Sequence, residues 1–169
     1  MKNNWTMIVF ILTFILAALF TTLSNMLGTL NNFILLAVTL FVIIIGIIFD
    51  SIGTAVLSCD IKVFHSKASQ KIRGSKEAIK LAKNATKVSS ICNDIIGDIC
   101  GIVSGSLLTV LIINVFKNQD LTIYNIIFTA ILSSLTVGGK ALGKTYAVKN
   151  SNDIIFKVGK TLSHFRKCK

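Results

Sequence analysis

Five charged side chains stand beside or within stretches otherwise free of charge, and their spacing suggests a common task. Asp50 is the sole formal charge between Lys2 and Asp60. Asp94 and Asp98 lie four apart at the mouth of an apolar run, so a helix would place both on one face. Lys140 and Lys144 lie four apart at the end of another apolar run. Carboxylates in such surroundings are costly and by default suggest a site. Asp50, Asn93, Asp94 and Asp98, with Ser51 beside them, are hard oxygen donors of the kind that Mg²⁺ or Ca²⁺ takes, with carbonyls and water completing the shell. The same charges also read as a neutralising salt-bridge cluster, with Lys140 and Lys144 reaching towards headgroups. Asn93 and Asp94 also suit a helix start, whereas Asp98 sits a turn deeper than a cap requires. Residue chemistry leaves the ion site and the cluster both open.

Gly97, Gly101 and Gly105 recur every four residues through the same stretch. On a helix they form a smooth strip that lets a neighbouring backbone approach closely in lipid. The expectation is a close helix contact there, within the chain or across a homodimer.

The elements that would carry these residues are transmembrane helices. The chain has 169 residues, 53% of them hydrophobic, yet a formal net charge of +11. That combination requires segregation: the apolar residues fall into four runs and the basic ones lie between or after them. The runs are 5–25, 33–58, 91–116 and 121–142, each about the length that crosses a bilayer. The first competes with a signal peptide, but no small-x-small cleavage site follows it, so it reads as an uncleaved span. The expected fold is therefore an all-α integral membrane protein, a single domain with four transmembrane helices.

Residues 59–90 change character. Lys62, Lys67, Lys71, Arg73, Lys76, Lys80, Lys83 and Lys87 face only Asp60 and Glu77. Ile61, Phe64, Ala68, Ile72, Ile79 and Ala82 keep an approximate helical spacing, broken near Gly74. This predicts one or two amphipathic helices on the membrane, with lysines towards anionic headgroups. The tail, 145–169, repeats the pattern with Ile155, Val158, Leu162 and Phe165. A nucleic-acid partner is not expected, because short loops between spans leave no room for a domain that binds one.

Orientation follows from lysine and arginine. The basic regions 59–90 and 140–169 belong in the cytoplasm, while 26–32 and 117–120, a tight polar turn, lie outside. Both termini are then cytoplasmic, in the plasma membrane. This topology brings Asp50, Asp94, Asp98, Lys140 and Lys144 to one depth, where they are expected to meet. Cys59, Cys92 and Cys168 fall at or near the cytoplasmic side. With no Cys-x-x-Cys pair and no histidine at metal spacing, the four cysteines read as free thiols.

Three ordered motifs then resemble the transmembrane domain of the CNNM (cyclin M) and CorB/CorC magnesium transporters. They are Phe49-Asp-Ser-Ile-Gly-Thr-Ala-Val-Leu-Ser58, Ile91-Cys-Asn-Asp-Ile-Ile-Gly97 and Gly139-Lys-Ala-Leu-Gly-Lys-Thr-Tyr-Ala-Val-Lys-Asn150. The likeness covers roughly residues 35–165, so the first span would be an addition. It implies a homodimeric module that handles Mg²⁺, with ligands from Phe-Ser-x-x-Glu-x-Ala, Gly-Asn-Asn and the glutamate of Gly-Glu-x-x-Pro-Lys. Here Asp50 holds the serine position and Gly53 the glutamate of the first motif. Asn93 is retained and Asp94 replaces its neighbour. Lys140 replaces the last glutamate and Gly143 the proline, while Lys144 matches. The chain contains no proline, so the fourth helix should be straighter than in the family.

A lysine at a ligand position exchanges an oxygen donor for a tethered cation. Two functions follow. One is a protein of Mg²⁺ transport or homeostasis with its site rebuilt from Asp50, Ser51, Asn93, Asp94 and Asp98. The other is a degenerate, non-transporting partner in which Lys140 occupies the ion position and Mg²⁺ binding is weak or lost. Enzyme chemistry is not expected: His65 and His164 sit in the basic amphipathic segments, and no nucleophile has a base at recognisable spacing.

Overall fold

A computed structural model describes residues 2–116 and 121–167. The expected turn at 117–120 and Cys168 therefore lie outside the described residues. Every regular element among those described is helical. Helix α1 (Lys2–Met26) leads through a 3-10 turn (Leu27–Thr29) into α2 (Asn32–Ser58). Three short helices follow, where one or two were expected, because the chain breaks at Asn84 as well as near Gly74: α3 (Ile61–Ser69), α4 (Ser75–Lys83) and α5 (Ala85–Ser89). A π-helical segment (Ser90–Gly97) runs into α6 (Asp98–Val115), and α7 (Leu121–Lys149) and α8 (Ser151–Lys167) complete the chain. Among the described residues, four stretches are long and apolar enough to cross a membrane: Met7–Ser24, Asn32–Ser58, Ala85–Val115 and Thr122–Lys149. The fourth helix continues seven residues past the expected end of its span, carrying Lys144 within it. With no proline to interrupt it, the backbone ladder simply runs on.

The chain divides into two compact units, Met1–Ile47 with Ile95–Lys140 and Ile48–Asp94 with Ala141–Lys169. In the first, α1 packs along α6. Its core is Leu35, Ile95, Ile99, Val103 and Leu107, with Leu16, Val38 and Val42 against them. The short link between α1 and α2 is held by Asn114, whose Nδ2 donates to the Gly28 carbonyl at 2.8 Å. This bond satisfies a backbone carbonyl of the link between the two helices.

In the second unit, the basic connector and the basic tail fold onto each other. Phe64, Ala78 and Ile155 are each 0% exposed and share a core with Ala55, Val56 and Ala147. The apolar stripes expected to rest separately on lipid thus partly face one another: α4 packs on α8 and on α3. The stripe of α8 is only half spent this way, since Leu162 remains 44% exposed.

Two local devices make this packing possible. Helix α3 ends with the Lys71 N–H donating to Ala68 and the Ile72 N–H to Lys67, at 3.0 and 3.1 Å. That is a Schellman ending, which needs a left-handed residue, and here the residue is Lys71 at φ 57° rather than a glycine. Gly74, at φ 94°, then starts α4. A Cβ at Gly74 would lie 2.7 Å from the Lys160 Cα, and one at Gly159 would lie 2.7 Å from the Gly74 carbonyl oxygen. Backbone crosses backbone there, and only glycine permits it. At the other end of α8, Ser151 donates to the Ser58 carbonyl at 3.2 Å, and Asn152 Oδ1 accepts the Asp60 N–H at 2.9 Å.

Candidate functional site

Asp50 stands two turns before the end of α2 and is only 3% exposed. Its Oδ2 lies 3.3 Å from the Nζ of Lys144, whose side chain is 49% exposed. The approach is charge to charge without hydrogen-bond alignment, and Asp50 Oδ2 accepts no hydrogen bond. Ser51, the next residue, is partly buried.

In the same unit, Asn93 projects from the π-helical segment. Its Nδ2 donates to Ser89 Oγ at 3.3 Å, while its buried Oδ1 has no donor. The carboxamide lies against Gly53, one turn along α2 from Asp50. A Cβ at position 53 would overlap Asn93 Oδ1 and come within 2.7 Å of its Cγ. Glycine at this position, where the resembled family has glutamate, is therefore what makes room for Asn93. Asp94 is exposed.

The other unit holds the second pair. Lys140 Nζ lies 3.8 Å from Asp98 Oδ1 and donates to the Gly97 carbonyl at 3.2 Å. Gly97 is the last residue of the π segment, where hydrogen-bond spacing changes from i+5 to i+4 and carbonyls fall out of register. The ammonium thus serves that junction. Asp98 is 67% exposed, and an exposed pair of this kind contributes only about 0–1 kcal/mol.

Of the five charges, Asp50 pairs with Lys144 in the second unit and Asp98 with Lys140 in the first. Among the described residues, no three His, Cys, Asp or Glu side chains gather as a metal set. The buried side-chain oxygens that accept no hydrogen bond in the second unit are Asp50 Oδ2 and Asn93 Oδ1. The glycine strip also divides: a Cβ at Gly46 would come within 2.9 Å of Cys100 Cβ and 3.8 Å of the Gly97 carbonyl. Gly101 and Gly105 meet nothing within 4 Å, so the chain itself does not use that part of the strip. Sequence reasoning missed the π segment and the seating of Asn93 on Gly53. The departure at position 53 was the available signal for the latter; no residue pattern announces the former.

A further polar feature lies in the first unit. A hollow of about 710 Å³ is lined by Thr109 of α6 and by Thr122, Asn125, Thr129 and Ser133 of α7. Thr109 returns its hydroxyl to the Gly105 carbonyl at 3.1 Å, the usual way such a group is satisfied in an apolar span.

Cys59, Cys92 and Cys100 are free thiols, in agreement with the sequence reading. Cys59 follows α2, and burial pushes its thiol above the ordinary range, with the Asp60 carboxylate adding to the effect. Its thiolate fraction at neutral pH is thus below that of an ordinary cysteine. A variant keeping only Cys59 should react with maleimide more slowly than a small thiol and gain rate at higher pH. A rate equal to that of the free thiol near neutrality would contradict this environment.

Comparison with protein-family models, with characterised proteins and with solved structures finds no match for this chain.

Proposed function

We propose that this chain is a membrane protein of divalent-cation transport or homeostasis, of the CNNM/CorC kind, with Asp50 and Asn93 as its ion ligands. One observation carries the reading. Asn93 Oδ1 is a buried acceptor without a donor, and it lies against Gly53, one turn from the buried Asp50 carboxylate, whose Oδ2 is ion-paired with Lys144 but accepts no hydrogen bond. An orphan acceptor in an apolar setting is costly, and a hard cation is the ligand that satisfies it. Mg²⁺ retains most of its water and needs only one or two protein carboxylates, so a sparse donor set suits it. Lys144 matches the retained lysine of the resembled motif, and its half-exposed ammonium can withdraw towards headgroups when a cation takes its place. The lysine distribution assigns both termini to the cytoplasmic side of the plasma membrane.

The second reading is the degenerate partner, in which a lysine permanently replaces the ion. It is favoured by the 3.3 Å contact of Lys144 with Asp50. Lys140, which the resemblance puts at the ligand position, is instead bonded to Gly97 and paired with Asp98.

Flux decides between them. Protein reconstituted in liposomes loaded with a Mg²⁺ indicator should carry Mg²⁺. Asp50→Asn and Asn93→Leu should each abolish the flux, while Asp94→Asn should leave it largely intact. A wild type with no flux, and with a melting temperature indifferent to millimolar Mg²⁺, would establish the degenerate partner instead.

A further inference from the structure

The second unit contains a hollow that the cation reading does not use. It measures about 520 Å³, the size range of small-ligand sites, and lies where the α3–α4 turn meets α8. Lys71, Arg73 and Lys76 line it, Glu77 is the one acid among its lining residues, and Ser163 of α8 closes the opposite side. Three cations against one carboxylate leave a net charge of +2 around a concave space. Lys62, Lys80 and Lys83 belong to the same basic connector but do not line the hollow.

The geometry is built rather than incidental. The glycine crossing at Gly74 and Gly159 brings α8 onto the turn and sets Ser163 one turn further on. Arg73 is oriented from α8, with Nη2 donating to His164 Nδ1 at 3.4 Å. Lys71 occupies the left-handed position of the Schellman ending, where glycine would be less strained. A side chain kept at that backbone angle is explained if the ammonium is needed where the turn directs it.

We infer that this hollow is a phosphate site, in which Arg73, Lys71 and Lys76 hold a phosphomonoester group. A guanidinium offers a planar fork to two phosphate oxygens, and lysines add point charge around it. The phosphate can come from two sources, an anionic phospholipid headgroup or a soluble phosphate compound. The inference stands independently of the cation reading, because it uses none of the same residues.

The test uses the full chain in a neutral detergent, with native mass spectrometry as readout. The probes are short-chain phosphatidic acid, short-chain phosphatidylcholine as the zwitterionic control, and inorganic pyrophosphate. Wild type should bind one phosphatidic acid per chain in preference to phosphatidylcholine. Arg73→Gln and Lys71→Gly should each weaken this at least about tenfold, the usual loss of a charged hydrogen bond. Lys83→Gln, which removes an equal charge outside the hollow, should change it less than about twofold. Lys71→Gly also guards against misfolding, since it relieves the left-handed lysine and should fold at least as well as wild type. Pyrophosphate binding with the same dependence on Arg73 and Lys71, in place of the lipid, would identify the soluble source. Failure of wild type to bind either probe would overturn the site. So would an equal loss in Lys83→Gln, which would mean only diffuse surface attraction.

Discussion

Lys144→Met is expected to lower the stability of the protein by about 3 kcal/mol, the low end of the cost of leaving a buried charge unpaired. Asp50 is the reason, because its side chain is only 5% exposed and Lys144 is its partner at 3.3 Å. The low end applies because Lys144 is itself half exposed, so water already screens part of the pair. The converse variant should be milder. Asp50→Asn removes the buried charge and leaves Lys144 free to turn to headgroups or solvent, at a cost below about 1 kcal/mol. The asymmetry is the diagnostic feature, and thermal unfolding of both variants in a neutral detergent reads it directly. Equal stability of Lys144→Met and wild type in Mg²⁺-free buffer would mean that the Lys144 contact contributes nothing at Asp50. Added Mg²⁺ should recover much of the loss, because a ligand bound only by the folded state contributes about 2.7 kcal/mol at a hundredfold excess over its Kd. Recovery in Lys144→Met that vanishes when Asn93→Leu is added would tie the ion to both Asp50 and Asn93.

Two glycine variants should move in opposite directions. Gly53→Ala puts a methyl group onto Asn93 Oδ1, with Asn93 Cγ at 2.7 Å and Cys92 Cβ at 3.1 Å. The carboxamide must leave its seat, and overpacking of this kind costs about 1–3 kcal/mol. That loss runs against helix propensity, which favours alanine over glycine by about 1 kcal/mol. Gly101→Ala meets nothing within 4 Å, so propensity should act alone and raise stability by up to about 1 kcal/mol. Comparing the two cancels effects common to any glycine replacement in a helix. A neutral Gly53→Ala would show that Asn93 does not pack as described. A destabilising Gly101→Ala, with dissociation on gel filtration, would instead place a second copy of the chain on that strip.

The difference between these glycines also shows where sequence reading ends. Gly101 and Gly105 belong to a regular repeat, which made them conspicuous, yet the chain places nothing against them. Gly53 belongs to no repeat, and its importance rests on one carboxamide forty residues away. Periodicity reports which residues share a face of one helix; it carries no information about which face of another helix arrives there. The charges behave in the same way. Lys140 and Lys144 are interchangeable as a pattern four apart, but one meets an exposed aspartate and a carbonyl, the other a buried aspartate. Their partners depend on helix rotation and on the π segment, whose extra residue per turn shifts every later side chain around the axis.

What the sequence by itself determined is the four long apolar helices and the helical, amphipathic character of the basic stretches. Four apolar runs free of proline can satisfy their backbone only as helices in an apolar medium, and the basic stretches between them keep amphipathic spacing. Tertiary structure alone decided that the connector and the tail share a core, that Asn93 rests on Gly53, and that Asp50 is answered by Lys144. Local pattern dictates hydrogen bonding along one segment, whereas pairing between segments is set by close packing, which forms only after the whole chain has folded.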